Sequence, residues 1–160
     1  MKINIQKLAE YLTSRPIVND TDCDAKLFWV AFNEFVEHVF NGTLVLFDNK
    51  YADWIADTVK RRSTYRHFNT GDCAAVISKG LKKDVDLCMN IRDKGMHTPI
   101  VLYLDPYYAP YNLFDIDGWH RLAICNVLGH DTIPYTCADS DREKFMHWFD
   151  EFHKNTDGPE

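Results

Sequence analysis

One stretch of the chain gathers the residue types that handle phosphate: Phe114-Asp115-Ile116-Asp117-Gly118-Trp119-His120-Arg121. A strand ends here and a buried helix begins. The first N–H groups of a helix have no partners inside it, and with the helix dipole they attract anions. Gly118 lets a ligand approach the backbone closely. His120 and Arg121 add side-chain donors at the same place, and a guanidinium offers a planar fork suited to phosphate oxygens. The combination fits a polyphosphate better than a lone carboxylate. Asp115 and Asp117 would stand beside it as Mg²⁺ ligand or general base, and Trp119 would stack on a base or sugar. Each residue also has a plainer reading. Arg121 pairs with Asp115 or Asp117 for structure alone, His120 is a satisfied and partly buried histidine, and Gly118 is a turn residue. Asp115 and Asp117 are turn or helix-start acids, and Trp119 belongs to the core.

The elements that must position this segment follow from periodicity. Ile5, Leu8, Ala9 and Leu12 recur at helical spacing, and Arg15-Pro16 interrupts them. Thr21 or Asp22 is placed to cap a second helix whose apolar stripe runs Leu27, Phe28, Ala31, Phe32, Phe35, Val36, Val39, Phe40 and stops at Asn41-Gly42. Residues 43–47 read as a buried strand, 51–62 as a helix with Trp54, Ile55 and Val59 on one face, and 63–71 as a polar loop. Residues 73–77 read as a strand or connector broken by Gly80. A helix over 84–94, with Val85, Cys88 and Met89 inward, ends at Gly95. Residues 99–104 and 113–116 form a hairpin around a Pro- and Tyr-rich loop, and an apolar helix over 118–128 ends at Gly129. A strand over 132–137 carries Pro134, which suggests an edge or bulge. Ser140 and Glu143 form a capping box ahead of Phe145, Trp148, Phe149 and Phe152, a core stripe.

From residue 84 to residue 137, about a third of the chain, the order resembles the ParB/sulfiredoxin superfamily. A helix ends in Gly95 and leads into the Pro99-Ile100-Val101 strand. A returning strand reaches the Gly118-Trp119-His120-Arg121 box, a helix closes on Leu128-Gly129, and a Pro-containing strand follows. The resemblance implies an α/β (α+β) fold with a small mixed sheet flanked by helices and a helical N-terminal extension. It implies nucleotide contacts from Gly118, His120 and Arg121, with Thr98 in a pocket wall around Gly95 to Pro99; Trp119 would add a stacking contact, and the demands of phosphoryl transfer would put catalytic roles on Asp117 and His120 and Mg²⁺ at Asp115 and Asp117. The cofactor would be ATP or another nucleoside tri- or diphosphate, and the activity that of a kinase or NTPase. Sulfiredoxins carry a catalytic cysteine where Trp119 stands, so their reaction is not expected. ParB proteins bind CTP and carry a DNA-binding region after this domain. Only one helix follows Cys137 here, so centromere binding is not expected. Asp117-Gly118-Trp119-His120-Arg121 is nearest to the box of the superfamily's free serine kinases.

Composition sets the remaining expectations. The 160 residues fit one domain, with a mainly helical part over 1–83 and the nucleotide-binding core over 84–153. A net charge of −6 disfavours nucleic acid as a partner, because phosphate contacts need a basic excess. The local run Lys60-Arg61-Arg62, with Arg66 and His67, reads as a solvated helix end or a polyanion contact. Cys23, Cys73, Cys88, Cys125 and Cys137 are too widely spaced for a zinc site and read as reduced, mostly buried thiols. With no leader pattern and no long apolar run, a cytoplasmic protein without a membrane span is expected. The competing functions are a non-catalytic regulator acting through a protein partner and a DNA-acting nuclease or partition-like factor.

Overall fold

The computed structural model describes residues 1–15, 24–66, 73–105 and 113–156. Its elements are β1 (Lys2–Asn4), α1 (Ile5–Thr13), α2 (Ala25–Asn41), α3 (Lys50–Arg66), α4 (Cys73–Lys94), β2 (Ile100–Leu104), β3 (Phe114–Asp117), α5 (Trp119–Val127), β4 (Thr132–Cys137) and α6 (Asp139–Thr156). The result is an α+β fold with a small mixed sheet, flanking helices and a helical N-terminal region. The sheet order is β1-β4-β2-β3. β2 and β3 form the expected antiparallel hairpin, β2 runs parallel to β4 across α5, and β1 pairs antiparallel with β4.

Alternate strand residues go inward. Ile3, Ile100, Leu102, Phe114, Ile116 and Ile133 are all buried, as the period of two requires when one face is covered by helices. α1 turns its buried Ile5, Leu8, Ala9 and Leu12 to this core. α2 contributes Phe28, Ala31, Phe32, Phe35 and Val36, and α6 contributes Phe145 and Phe149. Tyr11 of α1 meets Phe145, Phe149 and Phe152 edge-on, which locks the last helix against the first. The helix stops at Gly42 and Gly95 both use left-handed backbone, with φ of 69° and 78°.

Several expectations are corrected. Residues 43–47 are a loop and not a buried strand. Val45 and Phe47 are each 61% exposed. Asn49 shapes the turn: its Nδ2 donates to the Val45 and Leu46 carbonyls, and its Oδ1 accepts from the Ala52 amide at the start of α3. Those local bonds satisfy the backbone without a neighbouring strand. Residues 73–77 belong to α4, which passes through Gly80 unbroken because the buried Leu81 holds the turn to the core. Leu27 lies on the solvent side of α2, 53% exposed, and the helix is capped by Asp24, whose Oδ1 accepts from Leu27 N at 3.0 Å. Thr21 and Asp22 lie outside the described residues, as do Cys23, the 106–112 loop and the side chains of the basic run from Lys60 to His67. Ser140 sits inside α6, since the Ala138 carbonyl already accepts from the Asp141 and Arg142 amides. Pro134 is in an internal strand between β1 and β2. Among the described residues no helix is long and apolar enough to cross a membrane.

Candidate functional site

β3 delivers the chain to Gly118, whose φ of 120° and ψ of 27° turn it into α5. Gly118 supplies no side-chain cap, and the first bond of the helix runs from Leu122 N to Gly118 O. The amides of Trp119, His120 and Arg121 precede that bond and face the helix N-terminus. A β-carbon at position 118 would stand 2.7 Å from the Ile100 Cγ2 methyl and 2.8 Å from Arg121 Nη2. The missing side chain therefore makes room for the protein's own guanidinium and core.

Arg121 reaches back across Gly118 to the entry of β2. Its Nη1 donates to the carbonyls of Thr98 at 2.9 Å and Pro99 at 3.2 Å, and its Nη2 donates to the Asp117 carbonyl at 3.2 Å. The β2–β4 register explains the first of these. Ile100 lies opposite Tyr135, so one step back places Pro99 opposite Pro134. Proline has no N–H to continue the ladder, and Arg121 takes the carbonyl that would have met one. A guanidinium carries five N–H donors. The Nε–H and one Nη2–H of Arg121 have no protein acceptor among the described residues. Thr98 thus stands beside Arg121, through its backbone.

His120 lies between α2, α3 and α4. Its Nε2 is 3.1 Å from the Tyr51 hydroxyl, which itself donates to Asp84 Oδ2 at 2.5 Å, and Asp84 Oδ1 is 3.9 Å from the same nitrogen. Phe28 and Phe32 meet the imidazole edge-on at centroid distances of 5.4 and 4.8 Å. Burial against these rings lowers the imidazole pKa, Asp84 opposes the shift, and Lys83 adds to it. The side chain nonetheless keeps 40% of its surface in solvent. Burial and the Asp84 carboxylate push the Tyr51 phenol far up, so it stays protonated. The same two causes push the Cys88 thiol, one turn beyond Asp84, to about 12.

Trp119 is half-buried. Its ring meets Phe28 edge-on at 5.9 Å and its Nε1 donates to Asp115 Oδ1 at 2.9 Å. The other Asp115 oxygen takes Arg15 Nη1 at 2.8 Å, and Arg15 Nη2 lies 3.4 Å from the buried Asp105. Asp115 is therefore committed to an ion pair and an indole. Asp117, the last residue of β3, is exposed. Among the described residues no three His, Cys, Asp or Glu side chains gather as a metal cluster. α4 carries a shallow groove of about 530 Å³ lined by Ala75, Ser78, Lys79, Lys82, Lys83 and Asp86. Lys83 joins it to the His120 neighbourhood.

The structure joins Gly118, Arg121 and Thr98, sets Trp119 and His120 against Phe28, leaves Asp117 exposed and ties Asp115 to Arg15. Tyr51, Asp84, Lys83 and Arg15 were not foreseen. They reach the site from elements far away in sequence, and Tyr51 and Asp84 are otherwise unremarkable residues near the start or middle of a helix. No family model, curated protein or solved structure matches the chain.

Proposed function

We propose that the chain is a ParB/sulfiredoxin-like protein that holds the phosphates of ATP, or of another nucleoside tri- or diphosphate, at the N-terminus of α5, and acts there as a phosphotransferase or NTPase. The observation that carries the reading is a set of hydrogen-bond donors left open at one turn of an acidic chain. The uncapped amides of α5 and two spare N–H groups of Arg121 stand at the helix start, the partly exposed His120 lies on its first turn, and Lys83 acts electrostatically on His120. Anions are favoured by exactly this kind of donor set only when it is water-accessible, and His120 is. Mg²⁺ would neutralise charge between the phosphates, with Asp117 the carboxylate open to it.

Thermal shift against ATP, ADP, CTP and GTP, with and without Mg²⁺, tests the reading, since a ligand of the native state raises the melting temperature by mass action. At least one nucleotide is expected to raise it, and Lys83→Gln, an exposed substitution, to weaken the effect. If no nucleotide stabilises the protein, the reading fails. A second reading is a regulator that binds a partner without turnover. It is favoured by the three Arg121 donors already given to backbone carbonyls. Nucleotide binding with no hydrolysis or transfer to any acceptor would select it. A DNA-acting role is disfavoured by the net charge of −6; a salt-dependent gel shift checks it.

A further inference from the structure

Among the described residues, one ring nitrogen of His120 is engaged, Nε2. The Tyr51 hydroxyl has a single proton and gives it to Asp84, so the 3.1 Å contact with His120 requires the imidazole to donate from Nε2. Nδ1 is then the ring's lone-pair nitrogen. Among the described residues it has no hydrogen-bond partner, and it is not among the buried unpartnered side-chain atoms, so it reaches solvent. We propose that Tyr51 and Asp84 are positioning residues that hold His120 as the Nε2–H tautomer, leaving Nδ1 on the first turn of α5 to accept a proton from a hydroxyl group or water bound there.

The surroundings suit that task. α2 presents the Phe28 and Phe32 rings to the imidazole, α3 presents Tyr51, and α4 presents Asp84, with Lys83 acting electrostatically. Apolar walls and Lys83 keep the resting imidazole neutral, which a base must be. When Nδ1 takes a proton, the new positive charge faces Asp84 through one phenol and directly at 3.9 Å. The proton leaves again through the exposed Nδ1. A carboxylate thus orients a histidine and offsets its charge, with a tyrosine hydroxyl between them. The inference rests on the proposed function only for the identity of the hydroxyl.

The test therefore needs no nucleotide. Long-range ¹H–¹⁵N NMR of the full chain labelled at histidine nitrogens, titrated from acid to neutral pH, reads both the tautomer and the titration midpoint of His120. The expected result is a proton on Nε2 and a lone pair on Nδ1. Asp84→Asn keeps the side-chain shape and should move the midpoint down, whereas Lys83→Gln should move it up. Tyr51→Phe should release the second tautomer. A brief pulse of diethyl pyrocarbonate should modify His120 in the folded protein. A proton on Nδ1, a midpoint that neither Asp84→Asn nor Lys83→Gln moves, or full protection from the reagent would overturn the proposal. A protein that passes these tests but binds no nucleotide keeps the relay and loses the phosphate reading.

Discussion

The guanidinium of Arg121 lies against Gly118, 2.8 Å from where a β-carbon would be. The two residues are one structural unit. Glycine opens the space, and arginine fills it while bonding three backbone carbonyls around the β3–α5 turn. Gly118→Ala should therefore cost more than a turn glycine normally does. Positive φ accounts for about 1–2 kcal/mol, and crowding of the Ile100 methyl and Arg121 adds about 1–3 kcal/mol. Gly42→Ala is the matched comparison, with φ of 69° and nothing within 4 Å of the new methyl. Urea midpoints should fall further for the first variant than for the second. Equal losses would mean that the close packing at Gly118 has no energetic weight.

Arg121→Ala should lower stability as well as any phosphate affinity. It strips hydrogen bonds from the Thr98, Pro99 and Asp117 carbonyls, of which the first faces Pro134 across the ladder. Two of the three bonds are solvent-exposed, so water replaces part of the loss, and about 1–3 kcal/mol is expected. Arg121→Lys supplies one point donor in place of a fork and should recover only part of it. Chemical denaturation of the two variants measures this directly. Full stability in Arg121→Ala would show that the carbonyl contacts are incidental.

Stability should fall on both sides of neutrality, for opposite reasons. The folded state holds the His120 pKa below its ordinary value of 6.5. The unfolded chain then takes up that proton first. The contribution is complete above about pH 6.5 and declines as pH falls through that value toward the folded one. Tyr11 and Cys88 are raised to about 12, and Tyr51 is raised further, so their contributions are whole below the unfolded values of 9.0 to 10.0 and decline as pH rises beyond them. His120→Gln should flatten the acid limb of a urea-midpoint profile and leave the alkaline limb. Tyr51→Phe should reduce the alkaline limb. A His120→Gln profile with an unchanged acid limb would contradict the desolvated imidazole.

The hairpin, α5, β4 and the helix stops at Gly42 and Gly95 were legible because each rests on local chemistry. Periodicity named their buried residues, and glycine marked their ends. The failures share one cause, which is tertiary context. Lys2-Ile3-Asn4 is too short to show a period, and only the free edge of β4 makes it a strand. Residues 43–47 have strand composition but no neighbour to pair with, and Asn49 satisfies their carbonyls instead. Gly80 stays helical because Leu81 is fully buried. At the site, the segment from Asp115 to Arg121 could be picked out by residue type. The Tyr51–Asp84–His120 and Arg15–Asp115 contacts could not, since they join residues 33 to 100 positions apart in sequence and no local pattern records such a meeting.

Arg15 should couple energetically to Asp115 across that distance. The pair is tight at 2.8 Å, and the two side chains are only 10% and 16% exposed, so the charges act in a poorly screened setting. Removing the cation alone leaves Asp115 and the buried Asp105 facing a lost partner, a change that costs about 3–5 kcal/mol in buried pairs; partial exposure here places Arg15→Met toward the lower end. Asp115→Asn alone keeps an oxygen for the Trp119 indole and loses only the charge. The double variant should be more stable than the sum of the two losses predicts, by about 1–3 kcal/mol. Because Arg15 lies two residues past the end of α1 and Asp115 precedes Gly118 on β3, that coupling measures how firmly the N-terminal helix fixes the β3–α5 turn. Strict additivity in the cycle would mean that the two regions meet without holding each other.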